Sequence, residues 1–287
     1  MKTAIVTASY ARDFERCRLL CESIDRFVTG AEKHYLLVAG HDVALFRRLA
    51  GHTREVIDER DLLPSWLHNI PDPTAFFRRR VWLSTHTPPL HGWHVQQLRR
   101  IAIAEKVQET AFLYCDSDVA FLKPFALSSL WRGEALRLYR RDGALPLDSG
   151  LGHEKWHANA GFALALPPQL SAPHEYISNM VHWRRDAVTS MIGHIEQSHG
   201  RHWVEAIAAR RHFSECLLYG RYIDEALGGR GHFHDDVPLC RTYWFAPAPT
   251  DEEFRAFVAD MAPEQVAVAV QSFIGVDTDH IRRLIMH

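Results

Sequence analysis

Apolar and polar positions follow two different periods along the first half of the chain. Thr3 to Ala8 is a run of small and β-branched residues, the length and composition of a buried strand. From Asp13 to Val28 the apolar residues Phe14, Cys17, Leu20, Cys21, Ile24 and Phe27 recur close to a helical period, and Gly30 supplies a stop. His34 to Ala39 predicts a second strand, Asp42 to Ala50 a short helix capped by Asp42, and Arg54 to Asp58 a third strand. Residues 61–90 are rich in proline and aromatic side chains and hold no period. They predict an irregular excursion with a short helix at Phe76 to Leu83. Gly92 to Val107 predicts a helix and Ala111 to Cys115 a strand. Strands alternating with helices imply parallel pairing in an α/β architecture.

The second half reads differently. Leu136 to Tyr139 and Gly161 to Leu166 are strand candidates, and residues 173–227 predict mostly helix with a break at Gly200 to Trp203. A proline-rich stretch, Tyr243 to Thr250, leads to a helix at Asp251 to Met261 and a last strand at Val266 to Ser272. No internal repeat or low-complexity segment interrupts the pattern.

Composition narrows the class. With 287 residues, 47% hydrophobic and 24% charged, the chain is expected to build a large core, which excludes wholesale disorder. A formal charge of −2 gives no electrostatic reason to expect a nucleic-acid partner. No run of about 18 uncharged apolar residues predicts a membrane span. Met1-Lys2-Thr3 passes straight into Ala4-Ile5-Val6 without the h-region of a signal peptide. The 5 cysteines form no Cys-x-x-Cys pair, and Cys17 and Cys21, one helical turn apart, suit packing better than a disulfide framework. A reducing, cytoplasmic setting is expected.

The most informative segment is Phe112-Leu113-Tyr114-Cys115-Asp116-Ser117-Asp118-Val119-Ala120-Phe121, where an apolar strand ends in two aspartates spaced i, i+2. Ligands of open α/β sheets bind beyond the carboxyl ends of the strands, and two carboxylates there suit a hard divalent cation that also binds phosphate. Asp-Ser-Asp is equally good turn chemistry. Glu215 follows Ser214, a good N-cap, and so falls in the first turn of a helix. It can serve as a base toward a hydroxyl or simply complement the helix dipole. Gln97 and Arg100, i, i+3 neighbours, can face a phosphate or form a solvated helical face. Trp93 suits core packing or stacking on a sugar or base. Arg78-Arg79-Arg80, between Phe76-Phe77 and Val81-Trp82, can grip an anionic or lipid-linked acceptor or merely be solvated. The histidine pairs 91/94, 199/202 and 232/234 lack zinc spacing and read as exposed polar residues.

Taken together, TAIVTASY at the start, YCDSDVAFLKPF, and Asn159-Ala160-Gly161-Phe162-Ala163-Leu164 resemble the GT-A fold of nucleotide-sugar glycosyltransferases, glycogenin-like enzymes among them. Gly92 to Leu98 and Ser214 to Tyr222 resemble an uncharacterised bacterial family of that superfamily. The resemblance implies a mixed α/β sheet flanked by helices with a helical C-terminal half, in one domain over residues 1–287. Residues 1–125 would be the nucleotide-binding half and 126–287 the acceptor side. It implies Mn²⁺ or Mg²⁺ on Asp116 and Asp118. Thr7, Ala8 and Ser9 would cradle base and ribose, and Asp116, Ser117, Asn159, Gln97 and Arg100 would contact the donor, with Asn159 on a strand returning under it. Glu215 would be the base. The donor would be a nucleotide-diphospho-sugar, a UDP-sugar foremost, and the acceptor a saccharide or lipid-linked hydroxyl of a surface glycan. The tail departs from that pattern: Gln271-Ser272 follows the last strand and only His280 lies beyond, which leaves a third protein ligand unassigned. Two other readings stand beside this one: a GT-A scaffold that binds without turnover, and a haloacid-dehalogenase-like phosphatase with Asp116 as nucleophile and Asp118 as acid.

Overall fold

The computed structural model describes residues 1–147, 150, 152–167, 173–244 and 247–285. Its first half runs β1 (Thr3–Ala8), α1 (Phe14–Phe27), β2 (Val28–Thr29), β3 (Ala31–Val38), α2 (Val43–Phe46), β4 (Arg54–Asp58), β5 (His68–Pro71), β6 (Arg80–Leu83), β7 (Leu90–His91), α3 (Gly92–Lys106), β8 (Ala111–Cys115), β9 (Val119–Phe121) and β10 (Phe125–Ala126). The second half adds β11 (Trp131–Arg132), β12 (Ala135–Tyr139), α4 (His153–Ala163), β13 (Met180–Arg184), α5 (Arg185–His199), α6 (Trp203–Ala208) and α7 (Glu215–Arg221). It ends with β14 (His232–Asp235), β15 (Cys240–Tyr243), α8 (Asp251–Ala259), β16 (Ala267–Val270) and α9 (Thr278–Ile285).

The central sheet has the order β13-β8-β1-β3-β4. β1 pairs in parallel with both β3 and β8, β3 in parallel with β4, and β13 runs antiparallel to β8. Every residue of β1 is buried, as a central parallel strand covered on both faces must be. Alternate residues face opposite layers: Ala4, Val6 and Ala8 pack with α3, α5 and α7, whereas Ile5 packs with Leu20 and Ile24 of α1. The predicted strands and helices over residues 3–58 and 92–115 form where the periods place them. All 5 cysteines are buried and free.

Several expectations are corrected. Asp42 does not cap the helix at 43; its Oδ2 accepts the Ala11 N–H at 3.1 Å instead. Phe76 to Leu83 is not helical. Arg80–Leu83 is the middle strand of β5-β6-β7, since both neighbours offer it backbone partners that a helix would forgo. Gly161 to Leu166 is not a strand: Gly161 lies inside α4, and the chain leaves the helix through Leu164 and Ala165. A Cβ on Gly161 would lie 2.8 Å from Arg221 Nη1, so this apolar run packs as a helix against α7. Within 173–227, β13 interrupts the expected helices. Its five residues carry no clear period, and pairing with β8 decides their state. Of the Tyr243–Thr250 stretch, Phe245 and Ala246 lie outside the described residues. The histidine pairs are only in part exposed: His202 and His234 are, yet His202 caps α6 through Nδ1, and the His91 N–H donates to His94 Nδ1 at 3.2 Å.

β13 also buries His182 opposite Leu113, with neither ring nitrogen bonded among the described residues. Burial drives its pKa well below the usual range, so the folded ring stays neutral while the unfolded one protonates below about 6.5. The unfolded state then binds the extra proton, and stability falls as pH drops through that value. His182→Leu removes two unsatisfied nitrogens at similar volume. It is expected to gain about 1–3 kcal/mol in urea unfolding, more at about pH 5.5 than at about pH 7.5. A destabilised variant would mean the ring is bonded in solution.

Candidate active site

The carboxyl ends of β1 and β8 lie side by side in the sheet, which brings Ser9 and Asp116 to one edge. Just past β8 the chain turns sharply: the Asp116 N–H donates to Asn179 O at 3.1 Å, and the Val119 N–H donates to Asp116 O at 3.1 Å. The turn separates the two carboxylates. Asp116 is fully engaged, with Oδ1 paired to Arg100 and Oδ2 accepting from Asn179 Nδ2 at 3.2 Å. Asp118 Oδ1 is sealed from solvent and has no partner among the described residues. Burial, and then the charge of Asp116, push the Asp118 carboxyl up to about 7, with Arg16 opposing.

Arg100 is the centre of the arrangement. Its guanidinium is buried, bonds Glu215 Oε1 through Nη1 at 2.8 Å and pairs with Asp116 through Nη2. The same residue holds β8 through its backbone, where the Tyr114 hydroxyl donates to Arg100 O at 2.8 Å. One turn earlier on α3, Gln97 Oε1 accepts the Glu215 N–H at 3.0 Å. Gln97 and Arg100 therefore share a helix face, as their spacing requires, but the face is buried and meets a carboxylate pair. Ser214 caps α7 through Oγ and sets Glu215 in its first turn. Burial raises the Glu215 pKa and Arg100 opposes the rise, so the group is a stronger base than a solvated glutamate. Two carboxylates against one guanidinium leave this triad net negative when both are ionised.

The other expected residues divide. Thr7 is buried and spent on His34, its Oγ1 lying 3.1 Å from Nε2, and Ala8 is buried among core residues. Ser9 Oγ is buried beside Cys17 and has no hydrogen-bond partner among the described residues. Ser117 Oγ donates to Asp13 Oδ2 at 3.5 Å. Asn159 is not in this group. It sits on α4, donates to His212 O at 2.5 Å and accepts from Arg210 at 3.2 Å, so it fixes the connection leading into Ser214. Trp93 is half exposed, 5.3 Å from the Trp156 ring, rather than in the core. His280 is spent on Asp251 at 2.9 Å. Asn179, Asp13 and Arg16 join the site unannounced by any motif. Arg16 donates to Val270 O and Val276 O at 3.0 and 2.9 Å.

Two cavities bear on ligand capacity. One of about 10 Å³ lies beside Asp118, between Arg16, Leu19, Val268, Val270 and Ile281, close to the minimum for a single water. A larger one, about 710 Å³, opens at the ends of β3 and β4, lined by Leu63, Leu67, Asn69, Arg80 and Trp82 over the buried Glu59. Its size suits a small ligand. Glu59 pairs with Arg99, so successive arginines of α3 serve two neighbouring clusters. The larger cavity also carries His41, Glu59, Arg60 and His68, but none of the residues expected to bind donor or metal lines it.

The family model described as "Family of unknown function (DUF6492)" matches residues 2–286. The chain belongs to DUF6492. No curated protein matches it in sequence. Among solved structures, an active-site mutant of LgtC is similar to this DUF6492 chain over 98% of its length and 94% of that chain, at 13% identity and a TM-score of 0.50. Mouse xyloside xylosyltransferase 1 covers 96% of this chain and 100% of its own at 11% identity and a TM-score of 0.48. Galactosyltransferase LgtC in complex with donor and acceptor sugar analogues covers 99% and 95% at 11% identity and 0.46. The fold of the DUF6492 chain is thus the mixed α/β GT-A type of glycosyltransferases. None of its described helices is long and apolar enough to cross a membrane.

Proposed function

We propose that this DUF6492 chain transfers a sugar from a nucleotide-diphospho-sugar, a UDP-sugar foremost, to a saccharide or lipid-linked hydroxyl, with help from a divalent cation. The observation that carries the reading is the orphaned Asp118 oxygen beside Asp116, at the carboxyl edge of the sheet where α/β folds bind ligands. Asp116 and Asp118 are the carboxylates that would hold Mn²⁺ or Mg²⁺, ions bound through one or two carboxylates plus water and substrate phosphate, and Asp116 would have to give up its bonds to Arg100 and Asn179 to do so. Among the described residues no group of three or more His, Cys, Asp or Glu is placed to hold a metal ion, so such an ion would take its remaining ligands from water and the donor diphosphate. When bound, such an ion would stabilise negative charge on the leaving diphosphate.

The chain's own residues have separate tasks in this reading. Ser9 and Ser117 line the nucleotide side, and Asp13 orients Ser117. Arg100 holds Asp116 and Glu215 in one geometry and opposes the rise that burial imposes on the Glu215 pKa. Glu215 accepts the acceptor hydroxyl's proton if the reaction inverts configuration. Residues 1–125 supply the donor side, and 126–287 supply Glu215 and Asn179.

The test is thermal stability of wild type and Asp118→Asn with UDP, GDP, CMP and TDP, with and without Mn²⁺. Ligand at about 100 times its dissociation constant adds roughly 2.7 kcal/mol, a readily seen shift. A manganese-dependent shift with one nucleotide, lost in Asp118→Asn, is expected. Absence of any shift in wild type would remove the donor site. One observation favours a second reading: both oxygens of Asp116 are already bonded, as in a scaffold that binds without turnover. Nucleotide binding with no hydrolysis or transfer of any UDP-sugar would select it.

A further inference from the structure

The turn joining β5 to β6 presents a surface that neither the donor site nor the core uses. Phe76 and Phe77 stand at its tip, 83% and 69% exposed, the two most exposed aromatic side chains among the described residues. Both have left-handed backbones, with φ of 50° and 61°. Bulky side chains avoid that region, and such strain persists only where the surroundings enforce it. Here they do. Buried Asp72 accepts from the Thr74 N–H and hydroxyl and from Arg79 Nε, while its carbonyl accepts the Phe77 N–H at 2.9 Å. The Arg78 N–H donates to Ala75 O at 3.0 Å. This is a rigid turn that holds two phenyl rings in water.

Positive charge outnumbers negative around the tip. Arg78 follows the rings, Arg79 and Arg80 come next, and Arg12 of the loop after β1 donates to Arg78 O at 3.5 Å. Asp72 is paired with Arg79, Arg80 bonds only Asn69, and neither Arg12 nor Arg78 makes an ion pair with a carboxylate among the described residues. Arg12, Arg78 and Arg79 stand by the tip with the Asp72 carboxylate, while Arg80 turns to Asn69 and the neighbouring cavity, in a chain whose overall charge is −2. Apolar rings ahead of a cationic collar match the interface of an anionic bilayer, where aromatic rings sit at headgroup depth and arginines meet lipid phosphates.

We propose that the Phe76–Arg80 turn docks this protein on an anionic lipid surface. The turn touches the loop after β1, whose Asp13 reaches Ser117, so docking sets the carboxylate cluster close to the membrane plane. The chain then lies on the bilayer without spanning it, and a lipid-borne acceptor would arrive from that side. Docking itself does not depend on the transferase reading.

The test is co-sedimentation with vesicles of phosphatidylglycerol mixed with phosphatidylcholine, against phosphatidylcholine alone, without nucleotide or metal. Wild type should bind the anionic vesicles at least about tenfold more strongly, and added salt should weaken that binding. Phe76→Asn with Phe77→Asn keeps a residue that tolerates the left-handed backbone. It should melt no lower than wild type yet lose about tenfold or more in vesicle binding. Arg78→Glu, on an exposed side chain, should weaken binding without altering the fold. No preference for anionic vesicles, or equal binding by the folded double-asparagine variant, would overturn the proposal.

Discussion

Arg100→Met is expected to destabilise the fold by about 3–5 kcal/mol, because it leaves the buried Glu215 and the part-buried Asp116 with no cation between them. Arg100 is 5% exposed and Glu215 6%, so water cannot replace the lost partner. Burial already raises the pKa of Glu215, and Arg100 is the group that offsets it. Without the guanidinium, Glu215 should take up a proton well above its present range. Urea unfolding of Arg100→Met, Glu215→Gln and the double variant measures the coupling. The double variant should lose much less than the sum of the singles, since the charge left stranded in the first is gone. Additive losses, or a cost below about 1 kcal/mol for Arg100→Met, would mean the triad is solvated and does not organise the site. Activity adds a separate readout: Glu215→Gln should leave donor-induced stabilisation nearly intact and slow transfer at least about 100-fold if Glu215 is the base.

Gly220→Ala should cost about 2–3 kcal/mol through overpacking. Gly220 lies within α7, where alanine is otherwise the better helix former, so propensity alone predicts a gain. The face of the Tyr176 ring decides otherwise. A Cβ at 220 would fall inside the van der Waals envelope of that ring, whose Cγ and both Cδ atoms crowd the glycine. The ring cannot simply swing away, because it is buried and its hydroxyl donates to Asp224 Oδ2 at 2.6 Å. Asp224 lies in the π-helical turn Tyr222–Ala226 that continues α7, and it is also bonded by Arg140 at 2.9 Å and His234 at 2.8 Å. Displacing Tyr176 therefore pulls on a network of four polar side chains and on the helix that carries Glu215. Thermal unfolding checks the sign directly: a stabilised Gly220→Ala would show that Tyr176 has room to move. In the second variant, Tyr176→Phe with Gly220→Ala, the freed ring should recover part of the loss.

Local patterning is enough for the elements whose state depends on near neighbours. The period of Phe14 to Phe27 made α1, the β-branched run of Thr3 to Ala8 made β1, and the apolar strand ending in Asp116 placed a carboxylate at the edge of the sheet. The same patterning also placed Glu215 behind its Ser214 cap. Tertiary structure decided everything set by contact between distant residues. The run Gly161 to Leu166 is apolar enough for strand or helix; in the fold its first three residues close α4, which packs on α7 with Arg221 against Gly161. Arg80–Leu83 became a strand because two other strands flank it. In the sequence Asp116 and Asp118 both offer a carboxylate, Asp118 to the ion and Asp116 to the ribose or the ion. In the fold, Asp116 is consumed by Arg100 and Asn179, 16 and 63 residues away, while Asp118 keeps a free oxygen. No local pattern encodes a triad whose members lie at 100, 116 and 215, because its energy arises from desolvation that exists only once the core has closed.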